Sequence, residues 1–149
     1  MGQWTAQTEI TAVPAEVLEL LTEPDAISRW APIDFELVDW DGDRLLTGEH
    51  VRVHGHLAGR SLEFEVHIAE ADDGNLVLSA SGPIQLDVEY HARPSGAGSE
   101  LCASVNVTGR GFVGRLLAQA TDALLAGGAL RTAVDRLARE LELEPALVA

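Results

Sequence analysis

His50-Val51-Arg52-Val53-His54-Gly55-His56-Leu57-Ala58-Gly59-Arg60-Ser61-Leu62-Glu63-Phe64-Glu65-Val66-His67 reads as two strands folded about a two-residue turn. With Ala58-Gly59 as the loop, Leu57 faces Arg60 and the pairing follows outward from there. Val51 then meets Val66, Val53 meets Phe64 and Gly55 meets Leu62, all apolar. On the opposite face Arg52 meets Glu65, His54 meets Glu63 and His50 meets His67. A slip of one residue would turn the whole apolar set toward water, so the agreement of both faces specifies the register. The hairpin has one face for a core and one for solvent.

Working toward the N-terminus, Phe35 and Leu37 continue the strand pattern with Ile33, and Asp41-Gly42-Asp43 makes a turn. Pro24 opens a short helix through Trp30, which stops before Pro32 because α geometry is disfavoured at Ala31. Pro14 opens another, with Val17, Leu20 and Leu21 on one face. Trp4, Ala6, Thr8 and Ile10 alternate with polar residues as a first strand.

Toward the C-terminus, Asp72-Asp73-Gly74-Asn75 turns into a strand from Leu76 to Ser81 with two possible faces. A two-residue Asp73-Gly74 loop pairs Ile68 with Ser79 and turns Ser79 and Ser81 inward. An added bulge turns Leu76, Leu78 and Ala80 inward instead, and burial of two leucines favours it. Ile84, Leu86, Val88 and Tyr90 mark the next strand, and Leu101, Ala103, Val105 and Val107 the last. From Phe112 the period becomes helical: Val113, Leu116, Leu117, Ala120 and Leu124, then Val134, Leu137, Ala138 and Leu141. Gly127-Gly128 either breaks this helix or thins it beside a ligand, among Ala123, Ala126 and Ala129; the second reading is the expectation. The result is an α+β helix-grip, a curved antiparallel sheet of about seven strands. Two short helices follow the first strand, and one long C-terminal helix covers the concave face.

The 149 residues suit one domain, 1–149, with 46% apolar and 23% charged residues. Cys102 is the single cysteine, which excludes an internal disulfide and fits a reducing cytoplasm. No signal-peptide pattern opens the chain and no apolar run reaches the ~20 residues of a membrane span, so a cytoplasmic location is expected. All ten basic residues are arginine, so lysine Schiff-base chemistry and a P-loop are excluded. The net charge of −14 lies on residues 1–109, because five arginines balance five acids from Arg110 onward. Such a surface repels phosphate backbones, and nucleic acid is not an expected partner.

Val13-Pro14-Ala15-Glu16-Val17-Leu18-Glu19-Leu20-Leu21-Thr22-Glu23-Pro24-Asp25-Ala26-Ile27-Ser28-Arg29-Trp30 resembles the opening of the START-like, or SRPBCC, superfamily. Its members include polyketide cyclases and aromatases, the birch-pollen-allergen fold and lipid carriers. Tyr90 to Val107 looks like the penultimate hairpin of that group, and Gly111 to Glu142 is similar to its terminal helix. The resemblance implies a ligand cavity between sheet and helix, and specifies fold better than activity. The aromatase members carry an arginine in the strand after a Gly-Arg turn; here Ile68 holds the comparable position, so proton handling of that kind is not implied.

The expected ligand-binding residues are Trp30, Phe35, Val51, Val53, Phe64, Val66, Ile68, Tyr90, Phe112, Leu116, Ala120 and Leu124. Trp30 serves either as a cavity wall or as a core anchor for its helix. Tyr90 is the polar candidate on an apolar face, and the one weak catalytic candidate; otherwise it is a core tyrosine with a satisfied hydroxyl. Arg115 and Gln119 would either meet a ligand's polar end or lie exposed. His50, His54 and His56 share a strand face with His67 across from them, a set that invites zinc. That face also holds Arg52, Glu63 and Glu65, so a solvated charge ladder is the expectation and no metal or other cofactor is assigned. Cys102 has no histidine partner in view, which argues against a nucleophile. The expected function is binding of an apolar or polycyclic, lipid- or polyketide-like molecule. The alternatives are a cofactor-independent cyclase that shapes a reactive chain, and an accessory protein-interaction module.

Overall fold

The computed structural model describes residues 3–30, 34–38, 40, 42, 44–57, 60–96 and 98–148, apart from the side chains at 28–30, 34, 57, 140 and 142–148. Strand β1 (Gln3–Ile10) is followed by helices α1 (Pro14–Thr22) and α2 (Pro24–Trp30). Six strands come next: β2 (Asp34–Val38), β3 (His50–Leu57), β4 (Arg60–Asp72), β5 (Asn75–Ser81), β6 (Ile84–Ser95) and β7 (Gly98–Gly109). Helices α3 (Gly111–Ala126) and α4 (Ala129–Val148) complete the order. The strands form one antiparallel sheet in the order β1-β7-β6-β5-β4-β3-β2, so the first strand crosses over to pair with the last. Ile33 and the turn residues Asp41, Asp43, Ala58 and Gly59 lie outside the described residues.

The β3–β4 register is the one the two strand faces specify, with Val51 opposite Val66, Val53 opposite Phe64 and Arg52 opposite Glu65. The β4–β5 hairpin combines features of both readings of its turn. Asp73 and Gly74 both have positive φ, 52° and 79°, and form a two-residue turn that pairs Asp72 with Asn75. Past Ala71 and Glu70 the pairing shifts at a bulge, so that Ile68 faces Leu78 and Val66 faces Ala80. The bulge at Ala69 keeps Leu76 and Ala80 buried while Ser81 stays outside, its hydroxyl donating to Gln85 Oε1 at 2.8 Å.

The concave face of the sheet is covered by α1, α3 and α4. α1 starts with Pro14 in its first turn and buries Val17, Leu20 and Leu21. α4 buries Leu130, Ala133, Val134, Leu137 and Leu141, and the Arg131 guanidinium donates to the Gln7 carbonyl of β1. The single long helix is replaced by two, with Gly127 ending α3 and Gly128 at φ +97° before α4. A left-handed residue cannot continue a right-handed helix, so the glycine pair breaks it rather than thinning it.

The phase of α3 also differs from the expected one. Its buried residues are Gly114, Leu117, Ala118, Thr121 and Leu125, while Phe112, Val113, Leu116 and Leu124 are exposed. Close approach decides this. A Cβ on Gly114 would lie 2.9 Å from the Pro83 carbonyl, and one on Gly109 would lie 2.2 Å from the Gly114 carbonyl. The helix start is pressed onto the ends of β6 and β7, where only its smallest residues fit, and the bulky apolar stripe is turned away.

Candidate apolar cavity

Between the sheet and α2 and α3 lies a cavity of about 210 Å³. Its floor comes from inward residues of β3 to β7, among them Val53, Phe64, Leu78, Val88, Tyr90 and Val105. Pro24 and Ile27 of α2 and Thr121 and Leu125 of α3 close it from above, and Phe35 and Leu37 of β2 wall the sheet edge. The strand alternation that set the β3–β4 register therefore also decides which side chains reach the cavity.

Two side-chain hydroxyls interrupt this apolar lining, those of Tyr90 and Thr121. The Thr121 hydroxyl donates to the Leu117 carbonyl at 2.9 Å, within its own helix. The Tyr90 phenol is fully buried, and burial holds its pKa far above the ordinary value of 10. It stays a neutral O–H at physiological pH, fit to donate a hydrogen bond and unfit to act as a base.

Of the residues expected to bind a ligand, Phe35, Val51, Val53, Phe64, Val66 and Tyr90 line the cavity. Ile68 is fully buried in the core but is not among the lining residues. Phe112 is 80% exposed, Leu116 and Leu124 are exposed too, and Ala120 is half-buried off the cavity. These four corrections share one cause, the rotation of α3 that its glycine contacts impose. Thr121 and Leu125, one position along from Ala120 and Leu124, face the cavity instead. The small residues Gly109, Gly114 and Ala118 are the signal that could have set the phase. Arg115 and Gln119 are exposed. The Trp30 side chain lies outside the described residues.

The polar sheet face is a ladder of charges. Arg52 Nε lies 3.1 Å from Glu63 Oε1, and the His50 and His67 rings stack with centroids 4.5 Å apart. His50 and His54 are four residues apart on one strand, a separation of ~13 Å that no single metal ion bridges. Among the described residues no group of three or more histidine, cysteine or acidic side chains is placed to hold a metal. Cys102 is partly exposed, its Sγ 3.7 Å from Glu100 Oε1.

The arrangement of sheet, short helices and C-terminal helices matches solved structures over nearly the whole chain. The fold is the START-like helix grip. A START superfamily protein from Mycobacterium smegmatis matches with a TM-score of 0.66 at 16% identity, covering 95% of this chain and 97% of that one. Protein CV1439 from Chromobacterium violaceum matches with a TM-score of 0.69 at 14% identity, over 95% and 99% of the two chains. DynU16, a putative protein in the dynemicin biosynthetic locus, matches with a TM-score of 0.61 at 23% identity; the match covers 94% of this chain and 47% of DynU16. No family model and no curated protein matches the sequence. Among the described residues no helix is long and apolar enough to cross a membrane.

Proposed function

We propose that the chain binds a small apolar molecule in the cavity between its sheet and α3. The observation that carries this reading is the lining itself: a partly open pocket of about 210 Å³ whose walls are aliphatic and aromatic, the Tyr90 ring among them. An apolar cavity of ~150 Å³ is already large enough to take up benzene, whereas drug-sized ligands occupy ~300–1,000 Å³. The volume therefore suits one or two rings or a short chain, and a larger molecule would extend through the open side of the pocket.

Uptake of N-phenyl-1-naphthylamine, followed by fluorescence, tests the reading. Phe64→Arg should abolish uptake, since it places a charge where desolvation is costly. Leu37→Trp, at the half-buried sheet edge, should reduce uptake by filling the space without introducing a charge. Unchanged uptake in both folded variants would refute the cavity as the site.

A cyclase-type reading follows from the sequence resemblance to a superfamily that includes polyketide cyclases, and the two readings part at Tyr90. For a carrier, Tyr90→Phe weakens binding by ~0.5–1.5 kcal/mol, the worth of one neutral hydrogen bond. For a cyclase it slows turnover by ~100-fold while affinity barely moves, as for a lost proton donor. Among the described residues no basic side chain lines the cavity, which favours the carrier.

A further inference from the structure

Helix α3 is apolar on two sides, and the cavity uses one of them. At ~100° per residue, Phe112, Val113, Leu116, Ala120, Ala123 and Leu124 fall within a single ~120° arc next to the buried one. The arc is uncharged, and Phe112 stands 80% exposed at its start. At its other end Ala123, Leu124, Gly127, Ala129, Thr132 and Arg136 line a surface groove of about 370 Å³. A protruding ring and a concavity floored by small residues thus lie ~18 Å apart along one helix.

We propose that this flank of α3 pairs with a second copy of the chain across a two-fold axis, each Phe112 seated in the other copy's groove. Antiparallel pairing that sets Phe112 against Leu124 also sets Leu116 against Ala120, large against small, in both halves at once. A two-fold interface has to be self-complementary in this way. The charge distribution leaves this flank open to a second copy. The net −14 of each chain lies on residues 1–109, so two copies repel through most of their surfaces and least through the neutral C-terminal segment. Arg136 also lines the groove, and a guanidinium there can stack on the face of an incoming aromatic ring. Two 16-residue helices bury less than the ~800 Å² per partner of a standard interface, so association is concentration-dependent.

Sedimentation velocity on the full chain over a ~100-fold concentration range tests the pairing, since a dimer is populated by mass action. The wild type should shift from monomer to dimer. Phe112→Asp removes the ring, Ala123→Trp fills the groove, and both positions are exposed; each variant should remain monomeric while keeping the wild-type circular dichroism spectrum. Mixing the two should restore part of the dimer, because one intact ring then meets one intact groove. Leu46→Asp, at an exposed apolar site in the loop between β2 and β3, should behave as wild type. A wild type that is monomeric throughout, a dimer that survives both α3 variants, or a mixture that restores nothing overturns the proposal. A monomer that binds phosphatidylcholine vesicles only with Phe112 intact also overturns it, and assigns the flank to a lipid surface.

Discussion

Tyr90 shows how far a single residue can be read. Its place in an alternating strand puts the phenol on the inner face, and the sheet register then seats it among Leu76, Val88 and Val105 in the cavity wall. Burial raises its pKa, which links the residue to stability at alkaline pH. Below the ordinary value of ~10 both folded and unfolded chains hold the proton and the linkage is silent. Above it the unfolded chain releases the proton while the folded chain keeps it, so stability falls by up to ~1.4 kcal/mol per pH unit. The chain has one tyrosine and no lysine, so tyrosinate absorbance reports this site alone. That absorbance should appear only with unfolding, and Tyr90→Phe should flatten the loss of stability above pH ~10. Tyrosinate forming in a chain that is still folded would contradict the burial. The strand residues of the site were legible because period-2 alternation leaves two faces and hydrophobicity picks one. Phe64 and Val53 needed nothing more.

Helices are harder, because several apolar arcs compete and the bulkiest need not be the buried one. In α3 the choice turns on the clearance between backbones at Gly109, Gly114 and Pro83, which no hydrophobic pattern reports. The stripe Val134, Leu137 and Leu141 was legible from its helical spacing, and all three are buried, although the break that makes α4 a helix of its own was not. The junction of the two helices gives a sharp test of why the pair breaks. Gly127 has φ −76° and Gly128 has φ +97°, although neither side-chain position is blocked by backbone closer than 3.4 Å. Gly127→Ala should be neutral or stabilise the fold by up to ~1 kcal/mol, through the unfolded chain's lost freedom. Gly128→Ala should destabilise it by ~1–2 kcal/mol, since a left-handed residue with a Cβ is strained. Thermal melts of the two variants check the difference. Equal effects would mean that the junction does not hold the left-handed geometry.

Across the whole molecule the dominant electrostatic fact is the excess of 24 acidic over 10 basic residues, concentrated before Arg110. Its outward expression is the polar sheet face, which lies opposite the cavity. The described ion pairs on the surface, Arg52 with Glu63, Arg93 with Glu100 and Arg131 with Asp135, are largely solvent-exposed. Each is worth ~0–1 kcal/mol, and salt weakens it. Against them stand many uncompensated carboxylates, whose mutual repulsion acts over ~30 Å at 0.01 M salt and only ~10 Å at 0.1 M. Repulsion is the longer-ranged and more numerous contribution, so its screening wins. Raising sodium chloride at pH 7 should therefore raise Tm, most steeply below ~0.1 M, where the screening length falls below the width of the sheet. Chloride is the appropriate anion, because sulfate would add a separate gain from its exclusion from apolar surface. Protein kept dilute separates this effect from any association of α3 flanks, which screening would also favour. A Tm that falls with added chloride would mean that the exposed pairs outweigh the repulsion, and that the acidic face is internally compensated despite its net charge.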